Sequence, residues 1–243
     1  MIKPYRIHQL AETASTNDDA KKAADAGEVE GLVIWSLKQT AGRGRHGRAW
    51  ESPQGNLHAS ILLRPGCEMR HAGHYGFIAA LALHDTVRAL LPQARIRLKW
   101  PNDVLADGKK ISGILLETSS APNRKIHWLV IGIGLNAEHH PENTPYPATS
   151  LGALGASPAA LPDILNALLG RFFRWKKTLE KQGFAPVRAA WLENAQKGQL
   201  SVRLPDQTIK GAFDTLDDNG NLVLQLADGS KKAIAAGDVF FGS

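Results

Sequence analysis

The pattern of hydrophobic and polar positions predicts strands and helices interleaved over the first 195 residues. Residues 31–37 and 128–136 are apolar and β-branched runs, which is typical of buried strands. Residues 76–91 carry apolar side chains at helical spacing, and Pro92 closes that helix. The same reasoning predicts helices at 19–26, 159–181 and 185–194, strands at 56–64 and 95–100, and a hairpin of 104–106 with 110–117 around Asp107-Gly108.

The spacing of elements changes near residue 198. Short strands at 199–204, 208–216 and 221–226 alternate with turns rich in Asp, Asn and Gly. Evenly spaced short strands of this kind are typical of a small β-barrel. The pattern therefore predicts an α+β domain over residues 1–195 and a barrel-like domain over residues 196–243.

Composition narrows the class of protein. The 243 residues carry 29 Lys+Arg against 23 Asp+Glu, and this net charge of +6 does not by itself indicate a nucleic-acid-binding protein. The single Cys67 excludes an intramolecular disulfide and indicates a reducing compartment, so we expect a cytoplasmic protein. The N-terminus lacks a signal-peptide hydrophobic region, and apolar runs such as 77–83 fall far short of the roughly 20 residues of a membrane span.

The loop at residues 42–50, GRGRHGRAW, is the strongest local motif. It contains G-x-G-x-x-G after a strand, but residues 51–55 cannot begin the helix that a dinucleotide-binding turn requires. Its glycines allow close approach, and Arg43, Arg45 and Arg48 supply planar cations for phosphate or carboxylate. A solvated basic loop is the alternative, which the regular glycines and the terminal Trp50 disfavour.

Three further segments are ambiguous when taken alone. KWPND at 99–103 has the residues of an ordinary strand end. Lys110 enters an otherwise apolar strand, either as a charge that protects a sheet edge or as a partly buried cation aimed at a ligand. Gly113 and the GIGLN run at 132–136 indicate close approach to a strand, either by another backbone or by a flat ligand.

Several catalytic motifs are missing from the sequence. The chain contains no H-E-x-x-H, no G-x-S-x-G and no G-x-x-x-x-G-K-[ST]. His139-His140-Pro141-Glu142 matches no familiar metal site, and His71 and His74 are assigned to a solvated polar loop. An enzyme of this composition would work by positioning and electrostatics on an anionic substrate, without a covalent intermediate on the protein.

Taken in order, these segments resemble the biotin protein ligases. The resemblance is carried by Ser15-Thr16-Asn17, GRGRHGRAW at 42–50, KWPNDV at 99–104, GKKISGILLE at 108–117 and GIGLN at 132–136. It implies a class II synthetase-like catalytic domain with a mixed β-sheet and flanking helices, followed by a small SH3-like β-barrel. The implied reaction activates biotin with ATP to biotinyl-5′-AMP, then transfers biotin to a lysine of a carboxylase's biotin carrier protein.

The resemblance also implies roles for individual residues. Lys110, with Arg45 and Arg48, is expected to stabilise charge in catalysis, and Mg²⁺ is expected to accompany the triphosphate without a dedicated protein metal site. The implied biotin-binding residues are Ser15, Thr16, Asn17, Gln39, Gly42, Arg43, Gly44, Arg45, Lys110, Gly113 and Gly132. The implied ATP-binding residues are Arg45, Arg48, Trp50, Lys99, Asn102 and Asn136.

Other partners and activities follow from where the chain departs from the family. It begins about 14 residues before Ser15, so we expect no N-terminal DNA-binding module and no operator binding. Because no apolar run is long enough to span a membrane, we also expect no membrane partner. A homodimer formed through a strand edge is left open. The alternatives are lipoate or octanoate ligation on a related scaffold and, from another class, a nucleic-acid-binding module that stacks bases on Trp50 and Trp100.

Overall fold

The computed structural model describes residues 5–121, 125–142, 144, 146–157 and 159–241. Its larger sheet consists of β1 Arg6–Leu10, β2 Leu32–Ser36, β3 Leu57–Leu63, β4 Ile96–Lys99, β5 Asp103–Ala106, β6 Lys109–Ser120 and β7 Ile126–Leu135. These strands lie in the order β1-β2-β3-β7-β6-β5-β4. The β1–β2 pair is parallel and the other neighbouring pairs are antiparallel, so the sheet is mixed, as predicted.

Helices cover both faces of this sheet. Three of them build the main core on one face: α2 Ala72–Leu90, α3 Leu161–Gln182 and α4 Phe184–Glu193. On the opposite face α1, Thr16–Asp25, buries Ala20 and Ala24 against a smaller apolar cluster that includes Leu62 and Val130. Among the described residues, no helix is both long and apolar enough to cross a membrane.

The alternation of side chains along β7 determines where a cavity forms. Leu129, Ile131, Ile133 and Leu135 point into the main core. The other face of the same strand runs Trp128, Val130, Gly132, Gly134, because successive residues point to opposite sides. The side chains therefore shrink to glycine along this face, and no helix covers the sheet beyond the N-terminal end of α1.

The C-terminal part is a separate antiparallel sheet. It contains β8 Gln199–Arg203, β9 Thr208–Leu216, β10 Leu222–Gln225, β11 Lys231–Ile234 and β12 Asp238–Phe241, in the order β11-β10-β9-β8-β12. This arrangement fits the expected SH3-like domain. The indole of Trp100 donates a hydrogen bond to the Gly220 carbonyl at 3.0 Å, which joins the two sheets.

The predicted α+β class is confirmed, and most predicted elements are present. The β5–β6 hairpin turns at Asp107 and Gly108, both with positive φ, as the sequence pair requires. The predictions missed β1 and β11, which are largely exposed and lack an apolar run, and also β12, although it contains Val239, Phe240 and Phe241 in succession. The predicted domain boundary at 195/196 falls in the connection between α4 and β8 and stays a prediction.

The assignment of His74 to a solvated loop is wrong. His74 lies in the first turn of α2, is 7% exposed, and stacks on the Phe184 ring with centroids 3.8 Å apart. Burial, followed by the nearby His71, lowers the pKa of His74 to about 4. Apolar periodicity could not reveal this helix start, because α2 begins with small and polar residues at 72–75.

This buried imidazole predicts an acid sensitivity of the fold. An unfolded histidine has a pKa of about 6.5, so the unfolded chain binds the proton first as the pH falls from about 6.5 to 4. The buried neutral imidazole therefore does not lower the free energy of unfolding above pH 6.5. Between pH 6.5 and pH 4 that free energy falls by about 3 kcal/mol. Urea unfolding of the wild type and of His74→Gln across this range should show a shallower pH dependence in the variant; parallel profiles would contradict the assignment.

Candidate active site

A cavity of about 360 Å³ opens on the face of the large sheet that α1 covers in part, beside the N-terminal end of that helix. Gly113, Gly132 and Gly134, on the neighbouring strands β6 and β7, form its floor. Its walls come from residues 15–17 at the start of α1, the arginine loop (residues 42–50), residues 99–103, residues 136–148 in part, and residues 237–239 of the C-terminal sheet. Segments remote in the sequence thus meet at one place.

Nearly all the residues that the resemblance assigned to ligands line this cavity. They are Ser15, Thr16, Asn17, Gln39, Arg43, Gly44, Arg45, Arg48, Trp50, Lys99, Asn102, Lys110, Gly113, Gly132 and Asn136. Gly42 lies outside the lining. A Cβ atom there would collide with the Trp50 carbonyl and the Ser52 hydroxyl, so Gly42 is needed for the loop to close on itself.

One end of the cavity is a network of neutral hydrogen bonds. The Gln39 side-chain carbonyl accepts from the Thr16 backbone N–H at 2.9 Å and from its hydroxyl at 3.0 Å. Beneath them the buried Ser60 hydroxyl lies 2.7 Å from Thr16 Oγ1 and 2.5 Å from Asn17 Oδ1. These groups hold one another in place, so the polar end is formed before any ligand arrives.

Behind this end lies a cluster of four charges: Asp18, Lys21, Arg43 and Glu117. The Arg43 guanidinium bonds both carboxylate oxygens of Asp18 at 2.7 Å and reaches Glu117 at 3.0 Å. Lys21 bonds the same two carboxylates, at 2.9 Å to Asp18 and 2.7 Å to Glu117. The hydrogen bonds to Arg43 hold the pKa of Asp18 well below its usual range. Arg43 therefore anchors the arginine loop through carboxylates, a function that its predicted role along biotin did not include.

The other two arginines of the loop face the C-terminal sheet. Arg48 forms an ion pair with Asp238 at the start of β12. The Arg45 guanidinium lies 3.3 Å from the Gly237 carbonyl and 3.5 Å from the Asn102 side-chain carbonyl. No carboxylate of the described residues forms an ion pair with Arg45, and burial lowers its pKa. Arg45 is thus the loop arginine whose charge is left for an anionic ligand.

Two lysines flank the floor of the cavity. Lys110 Nζ lies 2.5 Å from Asp103 Oδ1 and 5.4 Å from the centre of the Trp50 ring. Its strand β6 lies between β5 and β7, so the interpretation of Lys110 as an edge-protecting charge is wrong. Lys99, only 7% exposed, sits 4.0 Å above the Tyr146 ring, and burial lowers its pKa.

Four residues at or beside the cavity were given no role by the sequence analysis: Asp103, Glu117, Tyr146 and Asp238. Asp103 and Glu117 belong to recognised motifs, and their acidity beside lysines could have identified them. Asp238 and Tyr146 lie in segments without a motif, and Tyr146 stacks on Phe240 of β12 at 5.1 Å. Only the folded chain brings these two side chains to the cavity.

Comparisons with known proteins agree with this geometry. Residues 12–136 match the biotin/lipoate A/B protein ligase family, and residues 201–242 match the biotin protein ligase C-terminal domain. The chain is 38% identical to a biotin--[acetyl-CoA-carboxylase] ligase of Paracoccus denitrificans, over 96% of this chain and 99% of that protein. It is 36% identical to the ligase of the same name from Mycobacterium tuberculosis, over 96% and 88% of the two chains. A biotin protein ligase from Aquifex aeolicus, solved with biotin and ATP, superposes with a TM-score of 0.82 at 26% identity, over 97% of each chain.

Proposed function

The chain belongs to the biotin/lipoate A/B protein ligase family, and we propose that it activates biotin with ATP to biotinyl-5′-AMP and transfers biotin to a lysine of a carboxylase's biotin carrier protein. One observation carries this proposal: a glycine-floored cavity with a polar end and, beside it, the cations of Arg45, Lys99 and Lys110. Full-length similarity to biotin ligases disfavours the lipoate or octanoate alternative.

In the first step a biotin carboxylate oxygen bonds to the α-phosphorus of ATP, and the bond from that phosphorus to pyrophosphate breaks. Both reactants are anionic, so the barrier contains their mutual repulsion. Lys110, fixed by Asp103, and Arg45, free of ion pairs among the described residues, would place positive charge where those oxygens meet. No protein nucleophile is required.

In the second step the carrier lysine amine attacks the acyl carbon of the mixed anhydride, AMP leaves with the bonding electron pair, and the amine loses a proton. The intermediate must be kept from water until the carrier arrives. Trp50 of the arginine loop lies against Gly113 and Gly134 of the floor, and Arg48 pairs with Asp238 and so joins that loop to the C-terminal sheet. We infer that this loop shields the anhydride.

Magnesium would arrive with the triphosphate. The carboxylates of Asp103 and Asp238 both line the cavity, and carboxylate oxygens are the ligands that Mg²⁺ prefers. In the structure, however, these two carboxylates pair with Arg48 and Lys110, and the described residues contain no group of three or more carboxylate, imidazole or thiol side chains that could hold a metal ion. The residues present therefore form no metal site of their own, and the ion would be carried by the triphosphate and would neutralise phosphate charge.

We also propose the organisation of the whole protein. Residues 1–195 would form the catalytic domain and residues 196–243 a second domain that closes the nucleotide side, working in the cytoplasm without DNA or a membrane as partner. The outer strand β1 exposes residues 6–9, and pairing of two such edges would give a homodimer. Light scattering of the purified chain tests that assembly.

The test of the function is pyrophosphate release with ATP and Mg²⁺, in parallel with biotin, lipoate, octanoate or no acid. We expect release with biotin alone, followed by labelling of a biotin carrier domain. Release driven by lipoate or octanoate would overturn the substrate but keep the mechanism. No release with any acid would overturn the ligase, and binding of RNA or DNA that weakens steeply with salt would then favour the nucleic-acid module.

Replacement of Arg45 tests the shielding loop. Arg45→Gly should weaken retention of biotinyl-5′-AMP, because the charge facing the cavity is lost, and the escaped adenylate should acylate lysines of any protein present. Mass spectrometry of a bystander such as serum albumin measures this labelling, with Arg70→Gly, an exposed arginine outside the cavity, as control. Labelling confined to the carrier lysine in Arg45→Gly would refute a shielding role.

A further inference from the structure

Glu117 ends the motif at 108–117 and has no part in the proposed reaction. On β6 it lies on the same side as Gly113, toward the cavity face. Its carboxylate accepts hydrogen bonds from three side chains of two other segments: Asn17 Nδ2 at 2.7 Å, Lys21 Nζ at 2.7 Å and Arg43 Nη2 at 3.0 Å. A single carboxylate therefore joins α1, the arginine loop and the sheet.

This carboxylate fixes how the Asn17 amide is turned. Burial opposes the charged form, but hydrogen bonds from Lys21 and the other two donors outweigh it, so the pKa of Glu117 lies below its usual range. An ionised carboxylate only accepts hydrogen bonds, so it must face the NH₂ group of Asn17 and not its carbonyl. At its other end the buried amide accepts from the Ser60 hydroxyl through Oδ1 at 2.5 Å, but a hydroxyl can also accept, so Ser60 tolerates either orientation and the Glu117 carboxylate selects one.

The opposite end of the amide then faces the cavity. Asn17 lines the cavity, and its Oδ1 lies over Gly132, nearer to the position of a Cβ there than Nδ2 does. The Ser60 hydroxyl uses one lone pair of Oδ1 and leaves the second for a ligand. The cavity thus presents a hydrogen-bond acceptor at this point. The ureido ring of biotin has two N–H donors, one of which can bind such an acceptor.

We propose that Glu117 is a positioning residue for substrate recognition: it holds the Asn17 amide so that Oδ1 accepts a ureido N–H. The same carboxylate holds Arg43, so the acceptor and the arginine loop are fixed together. Glu117 itself does not line the cavity and acts through Asn17. This inference rests on the proposed function, because it assumes that the ureido ring occupies this end.

Glu117→Gln is expected to reverse the orientation of the Asn17 amide. Lys21 and Arg43 still need an acceptor, so they should take the glutamine carbonyl and leave its NH₂ group toward Asn17. The Asn17 amide then turns over and presents a donor to the cavity. We expect biotin to bind the full chain at least tenfold more weakly by titration calorimetry. Asp18→Asn is the matched control, because it removes another carboxylate that holds Arg43 but no hydrogen bond of the Asn17 side chain.

A second readout separates orientation from general damage. In a carbamate analogue of biotin, a ring oxygen replaces one ureido N–H; both isomers are tested. The wild type should prefer biotin over one isomer, because two acceptors would face each other there. In Glu117→Gln that preference should shrink at least tenfold, because the turned amide donates to the ring oxygen. A structural defect would weaken both ligands alike and leave the preference unchanged.

A double variant provides rescue should Glu117→Gln fold poorly. With Asn17→Asp added, the introduced glutamine amide can donate to one oxygen of the introduced carboxylate, while the other oxygen faces the cavity as an acceptor. Biotin should bind the double variant at least fivefold more tightly than Glu117→Gln. A carbamate preference that is unchanged in Glu117→Gln, or that shrinks as much in Asp18→Asn, would overturn the inference. A wild type that does not bind biotin would instead overturn the proposed function.

Discussion

Lys110→Ala is expected to lower the rate of biotinyl-5′-AMP formation by about 10³-fold, the size of effect seen when one preorganised charge-stabilising group is removed. Lys110 Nζ is fixed by Asp103 at 2.5 Å, on the floor side of the cavity. The biotin carboxylate and the α-phosphate carry negative charge in the ground state, and their oxygens crowd together in the transition state. The substitution therefore removes charge where the reaction needs it most.

Lys109→Ala is the matched control for this experiment. Lys109 is the neighbouring residue on the same hairpin but is exposed and does not line the cavity. Rapid-quench measurement of adenylate formation should give wild-type rates for Lys109→Ala and a near-complete loss for Lys110→Ala, with similar thermal melting for both. Normal turnover by Lys110→Ala would show that Lys110 is not a catalytic residue. If only its positive charge matters, Lys110→Arg should recover part of the rate.

Gly132→Ala is expected to raise the dissociation constant for biotin by about 30-fold or more, which corresponds to about 2 kcal/mol. The added methyl group would occupy the space where the Asn17 side chain borders the floor. Asn17 cannot move aside without cost, because it is bonded to Glu117 and Ser60. A one-carbon change thus disturbs both the room for the ligand and an implied contact to it.

Gly170→Ala controls for the general effect of replacing a glycine. Gly170 lies in α3 with open space around its Cβ position, where alanine favours the helix by up to about 1 kcal/mol. Titration calorimetry with biotin should show unchanged affinity for Gly170→Ala and a large loss for Gly132→Ala. Equal affinity in both variants would mean that biotin does not lie on this part of the floor.

Much of the fold follows from local patterns in the sequence. Apolar runs predicted β3 and β7, helical periodicity predicted most of α2, and the Asp107-Gly108 pair predicted the β5–β6 turn. Strand β1 was missed because an exposed edge strand has no apolar period to detect, whereas β12 was missed although it contains the apolar residues 239–241. His74 was misplaced because a helix end with small and polar residues resembles a loop.

The candidate site could be listed from motifs but not arranged from them. The sequence alone determined the inventory: a glycine-rich basic loop, glycines on two strands, and lysines near strand ends. These motifs can be identified from the sequence because they depend on side-chain type and on local backbone conformation.

Tertiary structure decided which of those charges remain available. Arg43 meets Asp18 and Glu117, 25 and 74 residues away in the chain, and Arg48 meets Asp238, 190 residues away. Arg45, in the same loop, finds only neutral oxygens within the described chain. Ion pairing depends on distances of a few ångström between remote segments, because Coulomb attraction in water is weak beyond contact. The sequence therefore identifies the cationic residues of a site, whereas the tertiary structure determines which of them are left unpaired toward the substrate.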